Sequence, residues 1–431
     1  MSDINTDFHI FPLAEMPVLS DLHRDLPEDE MLANMTMVPP ENHCSITYFE
    51  PGGERMTLLY HGGYMPESFK RTSSCHKIYK TSFFIENNKL AMESTDNQSC
   101  VVGYHSTEPH LKQQKTPKKY LMHGSKLVQL SGSSMVKHNN TVYIFHGFNC
   151  EQDSNVDDVY IVRYLIDQNQ EQNPEVILCP GRTKMQYVVG EEKIEIENYE
   201  YTQKGDIPGA RSGHQCFVVQ GQVLLVGGHL LVEQKLAPGK EMSMDDHPVY
   251  TFDPDTREWK TVNLRPNNSL IHLLNRSNFG AVQKDDEIWI TGGVIYEDGQ
   301  MRTLPINQLI CLDTSQSDAI NVKVIQLGGV EEQINIQNFA LTSRPNSTEL
   351  YLFGGDLENT NPLTSNQLEK NKDILKIDIE DQSLGKHSIK MILETNACIL
   401  GMPLRSRIWL EDLSLLFGDF RHHSRAYFLS Y

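Results

Sequence analysis

Few residues in this chain are placed to do chemistry, and most of them are basic or imidazole groups. Lys70 and Arg71 form a basic pair, and Lys112, Lys115, Lys118, Lys119 and Lys126 gather in a polar stretch with His110 and His123. Lysines spaced this way can contact phosphates, although charge runs on loops are ordinarily just solvated. His61 and His146 each precede a glycine, and His214 closes an Arg-Ser-Gly-His turn. A metal centre needs three or four converging ligands with supporting partners, so these three read as structural histidines bonded to backbone. His422 and His423 are adjacent on a strand end, so their rings point to opposite faces. The eight cysteines show no Cys-x-x-Cys spacing, which favours buried free thiols over a zinc site or a disulfide framework. No Gly-x-Ser-x-Gly, His-Glu-x-x-His, phosphate-binding P-loop or Gly-x-Gly-x-x-Gly occurs, and catalysis by this chain is not expected. The acidic runs, such as Glu191, Glu192, Glu195, Glu197 and Glu200, read as solvated surface.

The elements that must carry these residues are strands. From Gly205 to Trp259 the chain gives Gly-Asp-Ile-Pro-Gly-Ala-Arg-Ser-Gly-His, then Cys216–Val219, a Gly221 turn, Val223–Val226, Gly227-Gly228, Val249–Phe252, an Asp253-Pro254-Asp255 turn and Trp259. Short apolar runs bounded by Gly, Pro and Asp predict strands, and Phe252 with Trp259 supplies an aromatic pair. The unit resembles one kelch blade, a four-stranded antiparallel sheet. Its strand-then-glycine signal recurs. First glycines fall at 62, 147, 227, 292, 354 and 418, spaced by subtraction 85, 80, 65, 62 and 64 residues apart. The spacing exceeds the roughly 50 residues of a tight kelch repeat, so long loops are expected.

These repeats predict an all-β protein, a six-bladed kelch-type β-propeller closed by N- and C-terminal strands. One domain is expected to fill residues 1–431, with 14–42 as a surface strap and 105–123 as a long basic loop. A strand from Phe8–Leu13 is expected to complete the blade that ends in Ala426–Leu429. A further long loop, 230–248, interrupts the third blade. The net charge of −19 argues against a free-standing nucleic-acid binder. The start lacks the basic and apolar regions of a secretory signal.

The order of the blade features resembles a narrower family. The first repeat carries Gly62-Gly63, Pro66, Lys70-Arg71, Ser74-Cys75, Glu86-Asn87-Asn88-Lys89-Leu90 and Ser99-Cys100. The second has His146-Gly147 and then Asp158-Val159-Tyr160-Ile161; the third has the 205–214 motif, an oversized loop and His247-Pro248-Val249. Ser406-Arg407-Ile408-Trp409 and Ala426-Tyr427-Phe428 stand near the end. The set resembles the recombination-activating protein 2 family, the accessory subunit of the V(D)J recombinase, and its relatives in RAG-like transposons of invertebrates. That resemblance implies a non-catalytic accessory subunit in the nucleus, bound to a catalytic partner of the recombination-activating protein 1 type. It implies no cofactor in this chain, the divalent Mg²⁺ belonging to the partner, and it sets Lys70 and Arg71 beside DNA. The Cys/His-rich plant homeodomain finger of vertebrate members has no counterpart here, so histone reading does not carry over. The rival readings are a generic kelch scaffold or ubiquitin-ligase substrate adaptor, and a propeller oxidase with a Tyr/His copper site.

Overall fold

The computed structural model describes residues 9–10, 44–49, 55–63, 78–86, 89–92, 128–149, 154–163, 175–181, 186–189, 192–195, 202–230, 247–266, 270–297, 300–316, 319–329, 333–343, 347–358, 369–371, 374–387, 409–410, 413–418 and 425–430. Antiparallel sheets follow one another along the chain. Sheet I is built from Cys44–Phe49, Arg55–His61, Ile78–Glu86 and Lys89–Met92. Sheet II is built from Ser134–His138, Thr141–Asn149, Ser154–Arg163 and Glu175–Cys179, with Leu130–Ser131 beside its second strand. Sheet III comprises Gln215–Val219, Gln222–Val226, Val249–Asp253 and Glu258–Thr261. Sheet IV comprises Gly280–Lys284, Glu287–Thr291, Gln308–Asp313 and Ile320–Gln326, and sheet V Ala340–Ser343, Glu349–Phe353, Ile374–Asp378 and Ser383–His387. A terminal sheet joins His9–Ile10 to Arg425–Ser430, with His9 opposite Ser430 and Ile10 opposite Leu429, and continues to Leu413–Gly418 and Trp409–Leu410. The one helix among the described residues is a single turn, Ile271–Leu274.

The cores lie between sheets rather than inside one of them. Leu59, Met135, Ile144 and Tyr160 pack sheet I on II; Phe145, Val223, Phe252 and Trp259 pack II on III. Phe217, Val226, Ile288 and Ile310 pack III on IV, and Trp289, Phe339, Leu352 and Leu375 pack IV on V. A strand's alternate side chains therefore serve two different interfaces, which is why these strands are apolar throughout rather than alternating. Sheets II to V thereby form a propeller-like arrangement. The expected aromatic pair is met in register: Phe252 lies opposite Trp259, ring centroids 4.8 Å apart, both fully buried.

Local chemistry fixes the hairpins. Gly221 sits at φ +80° with open space around it, so its value there is backbone freedom alone. Asp253 Oδ1 accepts the amides of Asp255 (2.8 Å) and Thr256 (3.1 Å), which turns the Asp-Pro-Asp corner. The segment leading into a sheet also lies parallel to that sheet's outermost strand. Lys204–Gly205 runs beside Glu258–Trp259, Leu264–Arg265 beside Ile320–Asn321, and Gly328 beside Ser383.

Candidate functional site

The end of the sheets where the glycine pairs lie is the most elaborated part of the described structure. Here the amide after each first glycine position reaches the next sheet. Gly63 N–H donates to Leu130 O (2.7 Å), Gly147 to Arg211 O (2.9 Å), Gly228 to Arg276 O (2.8 Å) and Gly293 to Ile336 O (2.9 Å). The first glycine of the pair must be side-chain-free because the neighbouring sheet's carbonyl is against it. A Cβ on Gly62 would stand 2.0 Å from Leu130 O, and one on Gly227 2.5 Å from Arg276 O.

A second set of bonds runs around the inner edges. Two residues ahead of each inner strand the backbone turns left-handed, at Gly132 (φ +63°), Gly213 (+73°), Asn278 (+54°) and Asn338 (+56°). Gly213 N–H donates to Gly132 O (2.8 Å), Asn278 to Gly213 O (2.9 Å) and Asn338 to Asn278 O (2.9 Å). Peptide groups thus run head to tail from sheet V to sheet II, in places where only Gly or Asn enters the left-handed region readily.

Two buried arginines pin the glycine pairs. Arg211 donates to Gly227 O (2.9 Å) and Gly209 O (3.1 Å), and its guanidinium carbon lies 5.3 Å from the Tyr250 ring centre. Arg276 repeats this one sheet on, donating to Gly292 O (3.0 Å) and Leu273 O, and burial pulls its pKa down to about 10. In sheet V the arginine is replaced by Ile336, and Asn371 Nδ2 takes over the Gly354 carbonyl (3.0 Å). Carbonyls receive both buried guanidinium groups, and an aromatic face receives that of Arg211.

The three single histidines behave differently from one another. His61 Nε2 bonds the Val128 carbonyl at 3.2 Å, as a structural histidine should. His146 does not: it is fully buried at φ +47°, and neither ring nitrogen has a hydrogen-bond partner among the described residues. Its ring meets His214 (centroids 5.6 Å) and Trp259 (5.7 Å) instead. Among the described residues no group of three or more His, Cys, Asp or Glu side chains could hold a metal ion. Cys44, Cys179, Cys216 and Cys311 are buried free thiols, and burial pushes Cys179 and Cys311 up to about 12.

Two groups escaped the sequence reading. Asp158, expected only as part of a strand, is buried at 4% exposure. It accepts the Gly181 amide at 3.2 Å, and burial raises its carboxyl to about 7. Gln203 stitches sheets II and III: its amide donates to Asp157 O (2.9 Å) and Cys179 O (2.8 Å) and accepts from Trp259 Nε1 (2.6 Å).

Lys70, Arg71, Lys112, Lys115, Lys118, Lys119 and the His422-His423 pair lie outside the described residues, as do the 14–42 strap, the 105–123 loop and most of the 230–248 loop. The points where the basic stretches join the fold are described. The stretch with Lys70 and Arg71 leaves at Gly63 and returns at Ile78. The stretch with the four lysines leaves after Met92 and returns at Val128. Antiparallel order puts Gly63 and Ile78 at the glycine-pair end, whereas Met92 stands opposite Phe83, which faces Met56 toward the other end. Val128 and Gln129 are tied at the glycine-pair end, Gln129 Nε2 donating to Gly63 O at 2.9 Å.

No family model matches the chain, and no curated protein matches it. Among solved structures 329 chains match. One, described as "Structure of YjhT", has a TM-score of 0.51 at 12% identity, covering 91% of this chain and 95% of that one. At that identity the likeness defines a fold alone. The chain is an all-β protein of propeller-like architecture.

Proposed function

We propose that this protein is the non-catalytic accessory subunit of a RAG-like DNA transposase or recombinase, working in the nucleus with a catalytic subunit of the recombination-activating protein 1 type. The sheets are proposed to close as a ring of six, the terminal sheet being the sixth; the pairing of His9–Ile10 with Arg425–Ser430 supports that closure. The glycine-pair end is the proposed working face. One observation carries the reading: the stretch bearing Lys70-Arg71 leaves and returns at that end, and the stretch bearing Lys112, Lys115, Lys118 and Lys119 returns there at Val128. The opposite end carries tight turns such as Gln220-Gly221 and Asp285-Asp286. Basic side chains grouped on one face can hold phosphates beside a cut made by a partner, without reading sequence. At a net charge of −19 the partner would supply most of the affinity for DNA. Mg²⁺ would belong to the partner's strand-cleaving centre.

Co-expression with such a subunit tests the proposal. Association, and DNA nicking that rises on mixing, are expected. Lys70→Glu with Arg71→Glu should leave the partner bound while lowering retention of DNA and flattening its salt dependence. Failure to associate ends the reading. Recovery of a ubiquitin-ligase set from cells would favour the rival adaptor role.

A further inference from the structure

Of the joints II/III, III/IV and IV/V, two follow one plan and one departs from it. Between sheets III and IV, the first glycine, Gly227, faces a phenylalanine: a Cβ there would stand 2.6 Å from Phe279 Cε1. Between IV and V, Gly292 faces Phe339 in the same manner, at 2.7 Å. Between II and III both partners change. His146 takes the glycine's place, keeping a left-handed φ of +47°, and His214 takes the phenylalanine's. Both imidazoles are fully buried, and their centroids are 5.6 Å apart. The backbone link survives, Gly147 N–H still donating to Arg211 O. A side chain with a left-handed backbone, swapped together with the residue it touches, keeps the shape of the joint and changes its chemistry.

Among the described groups that act on His146, none offers a counter-charge to an imidazolium. Across the joint stands the Arg211 guanidinium, which with burial holds His146 well below the usual imidazole range. The strand paired beside His146 carries Asp157 and Asp158, but Asp158 answers to Gly181 and Asp157 rather than to His146. From Glu258–Thr261 only the Trp259 ring reaches it; Glu258 and Lys260 pair with each other at 3.8 Å on the other side of that strand. His229, whose carbonyl accepts from Asn155 of sheet II at 3.0 Å, adds another imidazole beside this joint, also lowered by burial.

We propose that the joint between sheets II and III is an acid-sensitive seam: proton uptake by the buried His146 imidazole that faces His214 loosens it, while the glycine–phenylalanine joints III/IV and IV/V hold. The chain could then open a defined crevice under mild acid without losing its sheets. Such a device is independent of the partner proposed above, and its test uses the chain alone.

Amide hydrogen exchange read by mass spectrometry at pH 7.5 and 5.5, corrected for the intrinsic pH dependence of exchange, reports each joint separately. Protection in the segments holding Gly147 and Gly213 is expected to fall about tenfold relative to those holding Gly293 and Asn338, one pH unit below the free imidazole value. The double variant His146→Gly with His214→Phe installs the pair that the next two joints carry, and should remove that fall. Equal loss at both joints in the natural chain, or a fall that persists in the folded variant, overturns the proposal. If the double variant does not fold, His146→Gly alone carries the same comparison.

Discussion

Replacing Asp158 with Asn should stabilise the protein, and more so as the solution becomes more alkaline. The carboxyl is 4% exposed and held from its ordinary 3.8 up to about 7, mainly by burial. A raised carboxylate pKa means the folded state favours the protonated form. Above pH 3.8 the unfolded chain ionises freely while the folded chain resists until about pH 7, so stability falls across that window. The full penalty above pH 8 is about 4 kcal/mol, from a shift of about three pKa units. Asn stays neutral and keeps an oxygen for the Gly181 amide, escaping that penalty. Its amide protons need acceptors, and leaving one unpaired costs about 1–3 kcal/mol. The net gain expected at pH 8.5 is therefore about 1–3 kcal/mol, some 3 kcal/mol more than the same substitution yields at pH 4.5. Urea unfolding midpoints of both proteins at pH 4.5, 6.5 and 8.5 measure this. A change in stability that is the same at pH 4.5 and 8.5 would refute the reasoning, whatever its sign.

Other substitutions probe the joints directly. Gly227→Ala places a methyl group 2.5 Å from Arg276 O at φ +69°, and should cost roughly 3 kcal/mol or more by urea midpoint. Gly221→Ala, at φ +80° but in open space, should cost only about 1 kcal/mol, so the difference isolates the clash from the backbone strain. Arg276→Met leaves the Gly292 carbonyl without its guanidinium donor and should cost about 2–4 kcal/mol, with loss of amide protection at Gly293. Trp259→Phe keeps most of the aromatic packing but removes the bond to Gln203 Oε1. A loss of about 1–2 kcal/mol is expected, together with faster exchange in the strand Glu175–Cys179, whose last carbonyl Gln203 holds.

Much of the fold was legible because glycine has few substitutes where one sheet's carbonyl presses on the next. Gly62-Gly63, Gly227-Gly228, Gly292-Gly293 and Gly354-Gly355 all take positive φ, and Phe252 and Trp259 pair as their spacing suggests. What stayed hidden has physical reasons. Lys204–Gly205 and Leu264–Arg265 are two-residue strands, too short to show any period. Asn278 and Asn338 occupy a left-handed position that glycine holds elsewhere, and an asparagine in sequence marks many kinds of turn. Asp158 was legible only as the start of a strand; the packing of both sheet faces is what buries it. His146 was expected to bond backbone like His61, but its left-handed φ aims the ring into the joint instead.

The short lead-in segments beside sheets III, IV and V have a consequence for how the protein behaves in crowded solution. Ile320 already donates to Asn263 O, Gly328 exchanges bonds with Gln382 and Leu384, and Asp206 donates to Trp259 O. A foreign strand seeking to extend any of these rims finds main-chain groups already taken there, so edge-to-edge recruitment, the first step toward fibrils, is obstructed at those rims. The described sheets III, IV and V thus carry their own safeguard against aggregation, built from main chain rather than from surface charge.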